Sequence, residues 1–158
     1  MELVVYVTLV AMLTIVVTDA VLSLSRSFRA TRVTRALENS GLTSLDRLAR
    51  GVRLADSVGN GSIFNSTSSK LVLEYSGAAT TTKEFSLDGN QVLRLKENDQ
   101  DQGPLTSENL TVTSFMLERA TTTKSEIIRV TLSLKDRDGG EGAREATFYT
   151  AAVTRNTY

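Results

Sequence analysis

The sequence predicts an α+β fold in which one long N-terminal helix packs on a small antiparallel β-sheet. Two observations support this prediction. Residues 3–24 form an almost uninterrupted apolar run, and the amphipathic pattern that follows repeats every three or four residues. From Ile63 onward the apolar residues alternate with polar ones, which is the period of strands that have one buried face.

The first element is predicted to be a membrane-spanning helix. Residues 3–24 would extend about 33 Å as a helix, close to the roughly 30 Å of a bilayer's hydrocarbon core. The many β-branched residues would suit a buried strand only if the run were about a third as long. A secretory signal peptide fits less well, because no basic n-region precedes the apolar run.

Two carboxylates mark the ends of this run. Glu2 precedes it and Asp19 lies near its far end, about 26 Å away along a helix axis. Each can therefore lie near a membrane face, where a charge is less costly than at the bilayer centre. A buried Glu2 would still need a partner or neutralisation. For Asp19 we expect an interfacial position, with a charge contact to a neighbouring Arg as the alternative.

The helix is predicted to continue beyond the membrane to about Val58, because neither Gly nor Pro follows Leu24 directly. A stripe of apolar residues in this half is predicted to pack on the sheet, and it comprises Val33, Leu37, Leu45, Leu48, Val52 and Ala55. Gly41 is a candidate bend within it. The predicted organisation is thus a transmembrane helix half over residues 1–25, an amphipathic half over residues 26–58 and an antiparallel β head over residues 59–158.

Six segments of the head have strand patterns: residues 71–75, 84–87, 92–95, 110–115, 127–134 and 146–149. Hairpin signals occur at Asp88-Gly89 and at Asp138-Gly139-Gly140. Two acidic loops, residues 97–101 and 136–141, supply oxygen ligands of the kind that Ca²⁺ prefers, but neither has EF-hand spacing. We expect both to be solvated turns.

The composition excludes several classes of function. The 158 residues contain 18 basic and 18 acidic side chains, so no net charge attracts nucleic acid. Cys and His are both absent, which removes disulfides, Cys/His zinc sites, thiol nucleophiles and imidazole catalysis. We therefore expect no enzymatic activity, no catalytic residues, no metal and no cofactor.

With an acidic residue before a spanning helix that continues onto a small sheet, the chain resembles the type IV pilin and type II secretion pseudopilin family. Its first residues, Met1-Glu2-Leu3-Val4-Val5, resemble the end of the Gly-Phe-Thr-Leu-x-Glu processing signal. On this alignment Glu2 is the fifth residue of the mature protein, and we expect the rest of the signal to lie upstream. Residues 45–58, LDRLARGVRLADSV, resemble the helix end of J-type minor pseudopilins. The lack of Cys also favours a minor member, since major pilins often close a loop with a disulfide.

The resemblance implies a structural subunit of a type IV pilus or type II secretion pseudopilus. It implies a single-pass protein of the inner membrane, with the head outside the cytoplasm, that bundles with other pilin or pseudopilin subunits. The resemblance also implies that Glu2 is an assembly contact that meets the N-terminal amine of a neighbour, with a residue at the membrane interface as the alternative. The implied partners are those subunits, membrane lipid before assembly and a prepilin peptidase, with N-methylation after cleavage.

Four arginines point to the opposite orientation. Arg26, Arg29, Arg32 and Arg35 directly follow the apolar run, and the positive-inside rule would place the head in the cytoplasm. A basic leader upstream of Met1 would restore the family's orientation. The alternative is a single-span membrane protein that displays a β-rich binding domain without polymerising.

Overall fold

A computed structural model describes residues 2–77, 80–121, 125–139 and 143–155. It contains helix α1 (Glu2–Leu54) and eight strands. The strands are β1 (Ser57–Val58), β2 (Leu71–Tyr75), β3 (Thr81–Leu87), β4 (Leu93–Glu97), β5 (Gln100–Pro104), β6 (Leu110–Thr121), β7 (Glu126–Asp136) and β8 (Glu145–Val153). These elements confirm the α+β prediction.

The chain divides into two compact units, residues 1–35 and residues 36–158. The described part of the first unit is entirely helical. The second unit contains the end of α1 and all eight strands. Each unit is described by itself below.

The second unit has two antiparallel sheets, not the single sheet that alternation predicted. One has the strand order β1-β2-β3-β4-β5 and the other the order β6-β7-β8. A segment between β1 and β2 joins them, because Ser68 bridges to Phe115 of β6 in a parallel sense. Periodicity predicts strands one at a time, whereas their grouping depends on pairing between distant residues.

Helix α1 ends earlier than predicted, at Leu54 instead of near Val58. Ala55 still donates its backbone N–H to the carbonyls of Gly51 and Val52, but Asp56 donates to the carbonyl of Glu74 in β2. Val58 pairs with Leu73 in the same sheet. The β-sheet thus offers these residues hydrogen bonds that compete with another helical turn.

The hairpin at Asp88-Gly89 connects β3 and β4. The Asp88 backbone N–H bonds to the Val92 carbonyl, and Gln91 adopts a left-handed φ of 57°. The second predicted hairpin lies between β7 and β8. Its residues 140–142 lie outside the described part of the chain. Strand β5 includes the last two residues of the predicted acidic loop 97–101. It was missed, because its sequence, QDQGP, has no apolar alternation.

The core lies between the end of α1 and the inner faces of the sheets. Its largest side chains with almost no exposed surface are Phe85, Phe115, Leu48, Leu71, Leu73, Leu93, Leu110, Leu117, Ile128, Leu132, Leu134 and Val52. Burial of such side chains supplies the main favourable free energy of folding.

Candidate functional site

The N-terminal half of α1 exposes apolar side chains on all sides. Every described residue from Glu2 to Arg29 is exposed, and Leu3, for example, has 75% of its surface accessible. A helix that is apolar all round must be covered by lipid or by other helices. Among the described residues, α1 is the one helix long and apolar enough to cross a membrane.

Threonine hydroxyls in this segment are satisfied within the helix. Thr8 donates to the Val4 carbonyl at 2.7 Å, Thr14 to the Val10 carbonyl at 2.8 Å and Thr18 to the Thr14 carbonyl at 2.8 Å. A hydroxyl without a partner is costly in hydrocarbon, and this bond to the fourth preceding residue removes most of that cost. The polar interruptions of the run are therefore compatible with a lipid environment.

Glu2 and Asp19 both lie on the exposed helix. In the part of the chain that the structure describes, neither carboxylate forms an ion pair. Asp19 borders a shallow depression along the helix, together with Ala11, Thr14, Ile15 and Thr18. A carboxylate in this setting needs a proton, water at the interface or a cation from another molecule.

The arginines that follow the run are all exposed. Arg26, Arg29, Arg32 and Arg35 recur every three residues, so they wind around half of the helix instead of forming one narrow stripe. Phe28 lies among them and is also exposed. Cationic and aromatic side chains just beyond an apolar helix are typical of the lipid headgroup layer.

The end of α1 buries most of the apolar stripe proposed to pack on the sheet. Leu37, Leu45, Leu48 and Val52 are each at most 5% exposed, and Ala55 is buried just beyond the helix. Val33 is only half-buried and belongs to the first unit. Gly41, Ser44 and Ala49 are buried on the same helix face.

Two glycines in α1 allow close approach between the helix and the strands. A Cβ atom placed on Gly41 would lie 2.6 Å from Cδ2 of Phe148 in β8, well inside van der Waals contact. A Cβ atom on Gly51 would lie 3.3 Å from Cζ of Phe85 in β3. Helix α1 continues through Gly41 without interruption, and the missing side chain makes room for an aromatic ring.

Hydrogen bonds also join the helix to loops and strands. The Ser44 hydroxyl donates to the Leu105 carbonyl at 2.8 Å, and the Ser40 hydroxyl accepts from the Ser107 backbone N–H at 3.0 Å. The Tyr75 hydroxyl donates to the Gly51 carbonyl at 3.0 Å. Burial, followed by the negative charge of Glu97, raises the pKa of Tyr75 to about 12. Ser40, Ser44 and Tyr75 were not identified from the sequence, because a polar residue does not by itself indicate which distant residue it bonds to.

The charged groups of the first sheet form local networks. Asp88 accepts hydrogen bonds from the backbone N–H groups of Asn90 and Val92 and from Arg94, each at 2.9 Å. The bond from Val92 and those from Arg94 and Asn90 lower the pKa of Asp88 against the opposing effect of burial. Arg94 also bonds to Asp101. These contacts fix the β3–β4 hairpin to β5.

Another ion pair in this sheet region joins Lys70 Nζ to Glu84 Oε2 at 2.7 Å. Burial would raise the pKa of Glu84, but hydrogen bonds from Lys70 and Ser86 outweigh it, and the net shift is downward. No group of three or more acidic residues in the described ranges lies together as a metal site. In the first acidic loop, Asn98 and Asp99 form a turn with left-handed φ, whereas Glu97 ends β4 and Asp101 lies in β5.

No protein-family model, no curated protein and no solved structure matches this chain. The architecture alone, a long N-terminal helix packed on small antiparallel sheets, is compatible with a pilin-like fold.

Proposed function

We propose that this protein is a structural subunit of a type IV pilus or type II secretion pseudopilus. It is held in the membrane by residues 3–24 before assembly and bundles with other pilin or pseudopilin subunits through the same segment. The observation that carries the proposal is the difference between the two parts of α1: one buries its apolar face in its own β head, and the other exposes apolar side chains on all sides. No catalytic step and no nucleic acid belong to this function.

The exposed segment suits both environments that a pilin subunit occupies. Lipid tails and apolar side chains of other helices cover it equally well, so moving from one to the other involves little hydrophobic driving force. Specific assembly then depends on side-chain packing and on the few polar groups. Glu2 is the strongest candidate among these groups, because its carboxylate needs a cationic partner once lipid headgroups and water are removed.

In this proposal the partner of Glu2 is the N-terminal amine of a neighbouring subunit that a prepilin peptidase has processed and that is N-methylated. Asp19 lies near the outer membrane face, where it stays hydrated or pairs with an arginine of a neighbour. The head is extracytoplasmic in the inner membrane and is carried into a periplasmic or surface filament on assembly.

Substitution of Glu2 tests this mechanism. We expect Glu2→Ala to insert into the membrane normally and to lose most filament assembly, because breaking a buried ion pair leaves its partner charge uncompensated. Glu2→Asp retains the charge and should retain part of the assembly, and Asp19→Ala should assemble nearly normally. Membrane fractionation measures insertion, and the amount of sheared filament measures assembly. Normal assembly of Glu2→Ala would exclude Glu2 from the mechanism.

The four arginines favour a second candidate, a single-span protein that displays its β head without polymerising. By the positive-inside rule these exposed side chains would hold the head in the cytoplasm. Because the sequence has no Cys, Thr43→Cys on the exposed side of α1 gives a single labelling site in the amphipathic helix half, on the same side of the membrane as the head. Labelling of intact cells by a membrane-impermeant maleimide would support the pilin orientation. Labelling only after lysis would support the second candidate.

A further inference from the structure

Strand β8 ends the three-stranded sheet with a free edge. Its register with β7 pairs Ile127 with Val153 and Lys135 with Glu145. The flanking residues show which backbone groups face β7, because Thr154 N–H donates to the Glu126 carbonyl and Asp136 N–H to the Arg144 carbonyl. Even-numbered residues of β8 therefore form the hydrogen-bonded pairs with β7.

The odd-numbered residues of β8 consequently direct their backbone N–H and C=O groups away from β7. These residues are Glu145, Thr147, Tyr149, Ala151 and Val153. Within the described ranges, no backbone group accepts from or donates to these five residues along this outer edge. The free edge ends at Val153, because the N–H of the next odd-numbered residue, Arg155, donates to the Ala55 carbonyl. A second extended chain could form a regular ladder there.

The other sheet edges are protected. Strand β1 has only two residues, and β5 carries Pro104, a bulge opposite β4 and a left-handed Gly103. The middle of the β6 edge bonds to residues 65–69. Strand β8 has nine residues, without Pro, Gly or Lys, and its partner register is regular. Natural proteins usually protect such an edge or use it for pairing.

The outer face of β8 also presents apolar surface. Tyr149 is 75% exposed and Val153 is 46% exposed. Tyr149 borders a shallow cleft that also includes Glu118 and Arg129 from the neighbouring strands. Free backbone groups and exposed large side chains thus occur on the same strand.

We propose that β8 pairs antiparallel with β8 of a second copy of this chain, which joins two three-stranded sheets into one. The arrangement of charges favours a second copy as the occupant. An antiparallel register centred on Thr150 brings the Glu145 side chain near the Arg155 side chain of the other copy just beyond each end of the paired segment, which stops at Val153 because the Arg155 backbone N–H bonds to Ala55. It also places Thr147 opposite Val153 and Tyr149 opposite Ala151, so like charges do not meet. The two-fold symmetric contact is self-complementary. This inference does not depend on the filament proposal.

Cross-linking of single-cysteine variants tests the pairing and its register in the full chain, purified in detergent. Ala151 lies two positions from its symmetry mate along the strand, whereas Thr147 lies about 20 Å from its own mate. We expect a short bis-maleimide to cross-link Ala151→Cys and Tyr149→Cys efficiently and Thr147→Cys and Val153→Cys poorly. Equal, weak cross-linking at all four positions would overturn the proposal.

A proline at an outward position blocks the edge without removing a backbone hydrogen bond to β7, although both Thr147→Pro and Thr147→Val lose the side-chain bond between Thr147 and Ser133. Thr147→Pro deletes one outward N–H in each copy, so we expect dimer affinity to fall at least about tenfold. Thr147→Val keeps the N–H and is the matched control. Sedimentation in detergent measures the dimer, and near-ultraviolet circular dichroism checks that the head is folded. Unchanged dimer affinity in folded Thr147→Pro, or a wild-type protein that is monomeric, would refute the pairing.

Two further variants keep the test decisive. If Thr147→Pro does not fold, Ala151→Lys leaves all backbone groups in place and brings two positive charges close together, which should reduce cross-linking of the Tyr149→Cys reporter. Undiminished cross-linking would contradict the proposal. Glu2→Ala should leave cross-linking at Ala151→Cys intact in detergent, so failure of the filament proposal is distinguishable from failure of this one.

Discussion

Substitution of Gly41 by Ala tests whether close approach between α1 and β8 is required for a stable head. In an exposed helix this change stabilises a protein by about 1 kcal/mol, because Ala has the higher helix propensity. Here the new methyl group would lie 2.6 Å from Cδ2 and 2.7 Å from Cζ of Phe148. Relief of that overlap requires the aromatic ring or the helix to move.

Overpacking of this kind costs about 1–3 kcal/mol. Several ring atoms are involved, so we expect a value in the upper half of this range and, after the helix-propensity gain, a net loss of about 1–2 kcal/mol. Gly51→Ala is the matched control in the same helix, since its methyl group would lie 3.3 Å from Phe85 and 3.4 Å from Leu73. It should leave stability within about 1 kcal/mol of wild type.

The assay is urea unfolding of the full chain in detergent micelles, followed by the near-ultraviolet circular dichroism of the head's tyrosines. A double-mutant cycle with Phe148→Ala isolates the contact. Without the ring, Gly41→Ala should become neutral or stabilising. The reasoning is refuted if Gly41→Ala is as well tolerated as Gly51→Ala, or if its penalty persists when Phe148 is replaced.

Two further predictions concern pH and the hairpin. Burial raises the pKa of Tyr75 to about 12, so the head should lose stability as pH rises from about 10, the unfolded value, to about 12. Tyr75→Phe should remove this pH dependence. It should also lose the hydrogen bond to Gly51, which is worth about 1 kcal/mol. Unfolding midpoints at pH 8 and pH 11 measure both effects. Asp88→Ala removes the acceptor of three hydrogen bonds and should destabilise the head by about 1–3 kcal/mol. Because the folded pKa of Asp88 is lowered, its stabilising contribution is present above about pH 4 and disappears as pH falls. Asp88→Ala should therefore lose less stability in acid than the wild type does. An acid unfolding profile identical to that of the wild type would contradict this role of Asp88.

The sequence by itself determined the class of fold and the nature of its first segment. Length, apolar content and the absence of Gly and Pro before Gly41 are local properties, so residues 3–24 could be recognised as a membrane-length helix from composition alone. Alternation likewise predicted strands at 71–75, 84–87 and 127–134, because apolar and polar residues alternate along a strand that has one buried face. The absence of Cys and His excluded whole classes of chemistry without any structure.

Only the tertiary structure decided what depends on distant partners. The sequence offered Gly41 only as a candidate bend, and the structure places beside it Phe148, more than a hundred residues later in the chain. The end of α1 at Leu54 depends on hydrogen bonds to β2, and β5 exists because β4 pairs with it despite its polar sequence. The division into two sheets and the free edge of β8 are likewise results of strand pairing. Local pattern reports which side of a segment is buried, whereas the partner that buries it is set by packing across the whole fold.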